Sequence, residues 1–202
     1  MAKDAKMDKP VSLTTFVDFV SKAGTPKATV MRKWKESGEY DVVTDFYKRV
    51  REAIVEYHKN GMPIDTAFPG CDKKKLPHFD SIVAGHKKWV RRKDLKWFAP
   101  SMEVWQCGQM SVSINPELGL IVGGVPHLIK LYFKGEKLAK SRVNIITQLM
   151  TTALASVARK HCVMAVLDVR KARLFAGQGN DPRLEDQLRA EAAYWNALWP
   201  TA

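Results

Sequence analysis

The stretch Met110–Lys134, M-S-V-S-I-N-P-E-L-G-L-I-V-G-G-V-P-H-L-I-K-L-Y-F-K, constrains the fold more than any other part of the chain. Two apolar runs rich in Val and Ile flank Gly123-Gly124, a dipeptide that adopts positive φ without steric cost. This pattern predicts a β-hairpin at the heart of a sheet. The first arm carries a carboxylate, Glu117. The second carries Lys130 within an apolar run, where a charge is costly unless it has a partner. A Glu117–Lys130 pairing is the leading chemical expectation.

The rest of the composition sets bounds. A chain of 202 residues with 46% hydrophobic content can bury a real core, as one compact domain or as a small helical domain attached to a larger one. No apolar run reaches the roughly 18 residues that span a membrane. The N-terminal MAKDAKMDKP is charged and lacks an apolar signal core, so a cytoplasmic protein is expected. Cys71, Cys107 and Cys162 are odd in number and far apart, which fits buried thiols in a reducing compartment. The histidines are scattered without zinc-ligand spacing, and the glycines form no phosphate-binding loop.

Charge is the strongest compositional signal. The formal net charge is +12, and residues 71–100 alone hold nine basic residues against three acids. Such an excess favours a polyanionic partner, because lysines and arginines beside phosphates release counterions. No basic amphipathic helix calls for a membrane surface. The predicted partner is nucleic acid, with duplex DNA favoured; a protein partner or a homo-oligomer is the other expectation.

In chain order, Ser12 or Thr14 caps a first helix that places Phe16, Phe19 and Val20 on one face. Thr25-Pro26 starts a second helix that stops at Gly38. Asp41 is predicted to cap a third, running to about Lys59 and closed by Asn60-Gly61. Residues 1–62 thus read as a three-helix segment. Residues 63–100 read as an irregular basic connector and 101–202 as an α/β (or α+β) core. In that core a long helix follows Gly135, Val163–Val169 forms a short apolar strand, and Asp181-Pro182 opens a final helix.

The run Thr15 to Arg32 resembles the helix-turn-helix of DNA-binding repressors, through Thr15, Asp18, Ala23, Gly24, Lys27, Ala28, Thr29, Val30 and Arg32. The resemblance implies that the second helix reads a major groove through Lys27, Ala28, Thr29 and Arg32, with Lys33 beside them. Val20 departs from the small residue usual in that family. A second basic element is His86-Lys87-Lys88-Trp89-Val90-Arg91-Arg92-Lys93. There Lys87, Lys88, Arg91, Arg92 and Lys93 suit phosphates, while Trp89 and Trp97 serve either as stacking platforms or as core anchors.

The order β-β-α-β-α after a helical lead-in resembles the core of the PD-(D/E)XK restriction-endonuclease-like superfamily. Pro116-Glu117 matches the first element of that motif, Lys130 stands on the following strand, and Glu103 matches the additional acid that many members carry upstream. The resemblance implies a magnesium-dependent nuclease with Glu103 and Glu117 as metal ligands and Lys130 beside the attacking water. Two residues before Lys130, however, the family has an acid and this chain has Leu128. Asp168, within the Val163–Val169 strand, is an outside candidate for the missing carboxylate. The favoured expectation is a nucleic-acid-binding protein with a degenerate nuclease-like core and no cofactor. The alternatives are an active magnesium nuclease, or an interaction subunit anchored by tryptophans such as Trp195 and Trp199.

Overall fold

A computed structural model describes residues 9–36, 46–68 and 76–199. The described elements are β1 (Val11–Ser12), α1 (Leu13–Val20), α2 (Thr25–Glu36), α3 (Lys48–Asn60), a short 3-10 turn at Ile64–Ala67, α4 (Leu76–Val90), β2 (Leu95–Phe98), β3 (Glu103–Cys107), β4 (Met110–Ile114), β5 (Leu118–Val122), β6 (Val125–Tyr132), α5 (Lys140–Leu154), β7 (Val163–Asp168), β8 (Arg173–Ala176) and α6 (Pro182–Leu198). The architecture is mixed α/β, with a three-stranded sheet in the order β1-β4-β3 and a five-stranded sheet in the order β2-β5-β6-β7-β8.

The Gly123-Gly124 hairpin forms, with φ of 56° and 87° at the two glycines. β5 and β6 pair antiparallel across it, and β7 then joins β6 in parallel after α5 crosses over. The first arm differs from expectation. Asn115-Pro116 breaks it into β4 and β5, which belong to different sheets. Proline lacks the N–H that a continuous ladder would need, so the chain changes sheet there.

Side-chain alternation along β6 divides the interior into two cores. Leu128 and Tyr132 join α1, the small sheet, α5 and α6 in one core. Ile129, Leu131 and Phe133 face α3 and α4 in the other. Helix α5 lies between the two sheets and is buried on nearly every side, from Val143 through Ile146, Thr147 and Gln148 to Leu154. Its sequence has little amphipathic contrast for that reason. Helix α6 starts as its sequence requires: the Asp181 carboxylate accepts from Arg183 N and Leu184 N, Pro182 takes the first turn, and Leu188, Ala192 and Trp195 point inward.

Three helices are described within residues 1–62, but they share no single core. Helices α1 and α2 pack in the first core and α3 in the second, on opposite sides of the large sheet. The Asp41 cap lies outside the described residues, and α3 is described from Lys48. The expected irregular connector is largely ordered: it carries α4, of 15 residues, and the edge strand β2. Helix α4 approaches the sheet so closely that a Cβ on Gly85 would collide with Val169 O. Helices α3 and α4 run side by side in the same direction, since Phe46 meets Phe79 at one end and His58 meets His86 at the other.

Candidate functional site

Extending the β5–β6 register by one residue sets Glu117 opposite Lys130. Lys130 shares the parity of Leu128 and Tyr132, so its side chain leaves the sheet on the α5 side. Its Nζ donates to Glu117 Oε1 at 2.6 Å, Asn115 O at 3.0 Å and Asn115 Oδ1 at 3.2 Å. An ammonium has three protons, and here each has an acceptor. The second oxygen of Glu117 accepts from Leu131 N at 2.8 Å, while Glu117 N donates to Ile129 O. Glu117 thus continues the ladder beyond the end of β5, partly with its side chain. The two side chains are only 10% and 12% exposed, and such a pair holds in low dielectric because its hydrogen bonds are complete.

The pair forms part of the floor of a cleft of about 830 Å³. One wall is the start of α3, with Tyr47, Lys48 and Arg51; another is the end of β6 and the first turn of α5, with Phe133, Lys134 and Arg142. Asp18 on α1 ties the second wall together, reaching Arg142 at 2.6 Å and Lys134 at 3.2 Å. Tyr47 stacks on Phe133 with ring centroids 5.3 Å apart. The Tyr132 hydroxyl donates to the Glu136 carboxylate, and burial, followed by the charge of Glu136, pushes it up to about 12.

The other candidate acids are not gathered here. Glu103 stands opposite Ile114 on the small sheet, and Ser113, next to Ile114, lines the cleft. Alternation therefore turns Glu103 to the face away from it. Asp168 is buried at the end of β7, where its Oδ1 accepts from Lys171 N at 3.1 Å and shapes the turn into β8. Arg170, two residues further on, bonds Phe133 O and Ser81 rather than this carboxylate. Among the described residues no three His, Cys, Asp or Glu side chains group to hold a metal. With both Glu117 oxygens engaged, the donor set does not fit a magnesium ion.

The helix-turn-helix resemblance meets a similar obstacle. Lys27 is 7% exposed, paired with the Glu191 carboxylate of α6 and held over the Phe19 and Tyr194 rings. It is a packing residue of the α1–α2–α6 junction. Thr29 back-bonds to Thr25 O. Arg32 and Lys33 are exposed, with Glu36 at 4.0 Å from Arg32.

At the far end of α3, the basic run lies at the C-terminus of α4. Lys87 pairs with Asp65 at 2.8 Å, whereas Lys88, Arg91 and Arg92 are exposed with no ion-pair partner among the described residues. Lys93 lies 5.8 Å from the Trp89 ring. Trp89 is 2% exposed and cannot stack on a base; it is a core anchor. Beneath the run is a pair that sequence reading missed. The Nε2 atoms of His58 and His86 are 2.9 Å apart, and His86 Nδ1 is buried without a partner. Burial lowers His58 to about 4; burial and then the neighbouring His58 lower His86 to about 3, so both rings are neutral at neutral pH. One sequence signal was available: each histidine follows a buried isoleucine, Ile54 or Ile82, by four residues and so shares its helical face.

Trp195 is fully buried among Phe19 and Trp34, which removes it as an interface anchor. Among the described residues no helix is long and apolar enough to cross a membrane. No protein-family model matches the chain, and no curated protein matches it in sequence.

Proposed function

We propose that the protein binds nucleic acid, duplex DNA in the first place, by gripping its phosphate chain. The core is read as a restriction-endonuclease-like fold whose cutting site has degenerated. The observation that carries the reading is the end of α4, where Lys88, Arg91 and Arg92 project into solvent within five residues and without acidic partners among the described residues. Exposed cations without an acidic partner among the described residues suit phosphates, whose neutralisation releases counterions. Arg32 and Lys33 on α2 are secondary phosphate ligands. The saturated Glu117–Lys130 pair supports binding without hydrolysis, because its carboxylate oxygens are already committed to Lys130 and Leu131 N.

Fluorescence-polarisation titration of a labelled duplex across a salt series tests this. Changing Lys88, Arg91 and Arg92 together to Ala is expected to weaken binding and to reduce the slope of log K against log salt by roughly 0.9 for each phosphate no longer neutralised. An unchanged slope contradicts the reading.

A further inference from the structure

Strand β2 is an outer strand of the five-stranded sheet and pairs with β5 on one side only. Gly123 N donates to Asp94 O, and bonding alternates from there along the ladder. The N–H and C=O groups of Lys96 and Phe98 therefore face β5, and those of Leu95 and Trp97 face the open edge. On that edge Trp97 differs from the other tryptophans. Trp34 contacts Trp195 and Trp199, Trp89 meets His58 and His86, and Trp105 meets Phe16. Trp97 has no ring partner, no cation over its ring and no acceptor for its indole N–H among the described residues. It is half-buried, packed at the margin of the second core with part of its surface exposed. A large ring so placed has contact area left to offer.

Cations accompany β2 along its length. Residues 87–98 hold Lys87, Lys88, Arg91, Arg92, Lys93 and Lys96 against a single acid, Asp94. Lys87 is committed to Asp65, and Lys93 lies near the Trp89 ring. Lys88, Arg91 and Arg92 lead toward the strand, and exposed Lys96 precedes Trp97 on it, pointing to the other face of the sheet. At the far end of β2 the exposed Arg159 guanidinium lies 4.4 Å from the Phe98 ring centroid, with exposed Lys160 next to it. A phosphate chain laid along this edge meets cations before, beside and after the tryptophan. A duplex keeps its bases stacked inside and offers Trp97 only sugar and phosphate, whereas an unpaired base offers a ring face. The outward main-chain groups of Leu95 and Trp97 supply donors and acceptors for the edge of such a base. We propose that the edge of β2 binds the unpaired end of a nucleic-acid strand with Trp97 as its stacking platform, so that the ligand is a duplex carrying a single-stranded end. The inference rests on the reading that the end of α4 grips phosphates, and adds the part of the ligand that lies beyond the duplex.

Fluorescence polarisation at one fixed salt concentration decides it. A labelled blunt duplex is compared with the same duplex bearing two unpaired thymidines at its 5′ end or at its 3′ end. Stacking on Trp97 is expected to make one overhanging form bind about fivefold or more tighter than the blunt form. Trp97→Leu should remove most of that gain and leave the blunt duplex bound as before. Changing Lys88, Arg91 and Arg92 to Ala should weaken blunt and overhanging forms alike and preserve their ratio. Thermal unfolding checks that each variant is folded. If Trp97→Leu is not, photocrosslinking of the wild type decides: 5-iodouracil in the overhang should couple to Trp97, read by mass spectrometry of the peptide. Equal binding of blunt and overhanging duplexes, a folded Trp97→Leu that keeps the preference, or a crosslink confined to residues away from β2 overturns the inference. Salt-dependent duplex binding would still stand in each of those cases. A wild type that binds none of the three DNAs removes the phosphate reading, and this inference with it.

Discussion

The two ends of α3 meet the same difficulty, a titratable pair taken out of water, in opposite ways. At the cleft end Glu117 and Lys130 form an ion pair in which all three ammonium protons and both carboxylate oxygens are hydrogen-bonded. At the other end His58 and His86 touch as like groups, and burial takes them to about 4 and about 3, which removes their charge. A charge survives burial where partners converge on it; otherwise the group goes to its neutral form. The cleft therefore retains local electrostatic structure, and the histidine end is an uncharged support for the exposed cations beyond it.

The largest effect should come from breaking the charged pair on one side only. Lys130→Ala leaves the Glu117 carboxylate buried and uncompensated, at a cost of roughly 3–5 kcal/mol in urea unfolding. Replacing both partners, as Glu117→Gln with Lys130→Met, should recover most of that loss. If the single and double variants are equally destabilised, the pair is not the coupled unit described.

The histidine pair is predicted to respond to pH instead. Both groups titrate lower in the folded state than the usual 6.5, so between these values the unfolded chain holds more protons. Stability is then complete above about pH 6.5 and declines as pH falls toward 4, by on the order of a few kcal/mol. Phenylalanine at both His58 and His86 should cost less than about 1.5 kcal/mol at pH 7.5 and flatten this part of the profile. Denaturant unfolding at pH 7.5, 6 and 5 makes the comparison. A variant profile parallel to the wild type would place the proton uptake elsewhere.

The smallest effect is expected at the cleft rim. Lys48 and Glu52 are 3.7 Å apart on exposed helix surface, with side chains 28% and 61% exposed. Lys48→Gln should change stability by no more than about 0.5 kcal/mol, seen as an almost unmoved urea midpoint. The contrast with Lys130 would show that burial, not ion-pair distance alone, sets the energy.

Much of the cleft floor was legible because hairpins are symmetric. Once Gly123-Gly124 is taken as the turn, Glu117 and Lys130 are equidistant from it and must face one another. Asp181-Pro182 was legible for the same kind of local reason, since cap and first-turn chemistry act within a few residues. What escaped depends on distant chain. Lys27 looks like a surface lysine until α6 brings Glu191 to it. Helix α4 was obscured because Pro77, Gly85 and the basic run interrupt its apolar stripe, and only packing on Val169 explains Gly85. His58 and His86 lie on two helices that meet only after the sheet has formed beneath them.

On the proposal made above, the exposed cations at the end of α4 hold nucleic acid without cutting it. Plasmid DNA incubated with the protein at low salt in Mg²⁺ or Mn²⁺, captured on a filter and then run on a gel, tests both halves at once. Retained DNA that remains supercoiled is the predicted result. DNA that passes through the filter, or retained DNA that is nicked by the wild type and spared by Glu117→Ala, would contradict it.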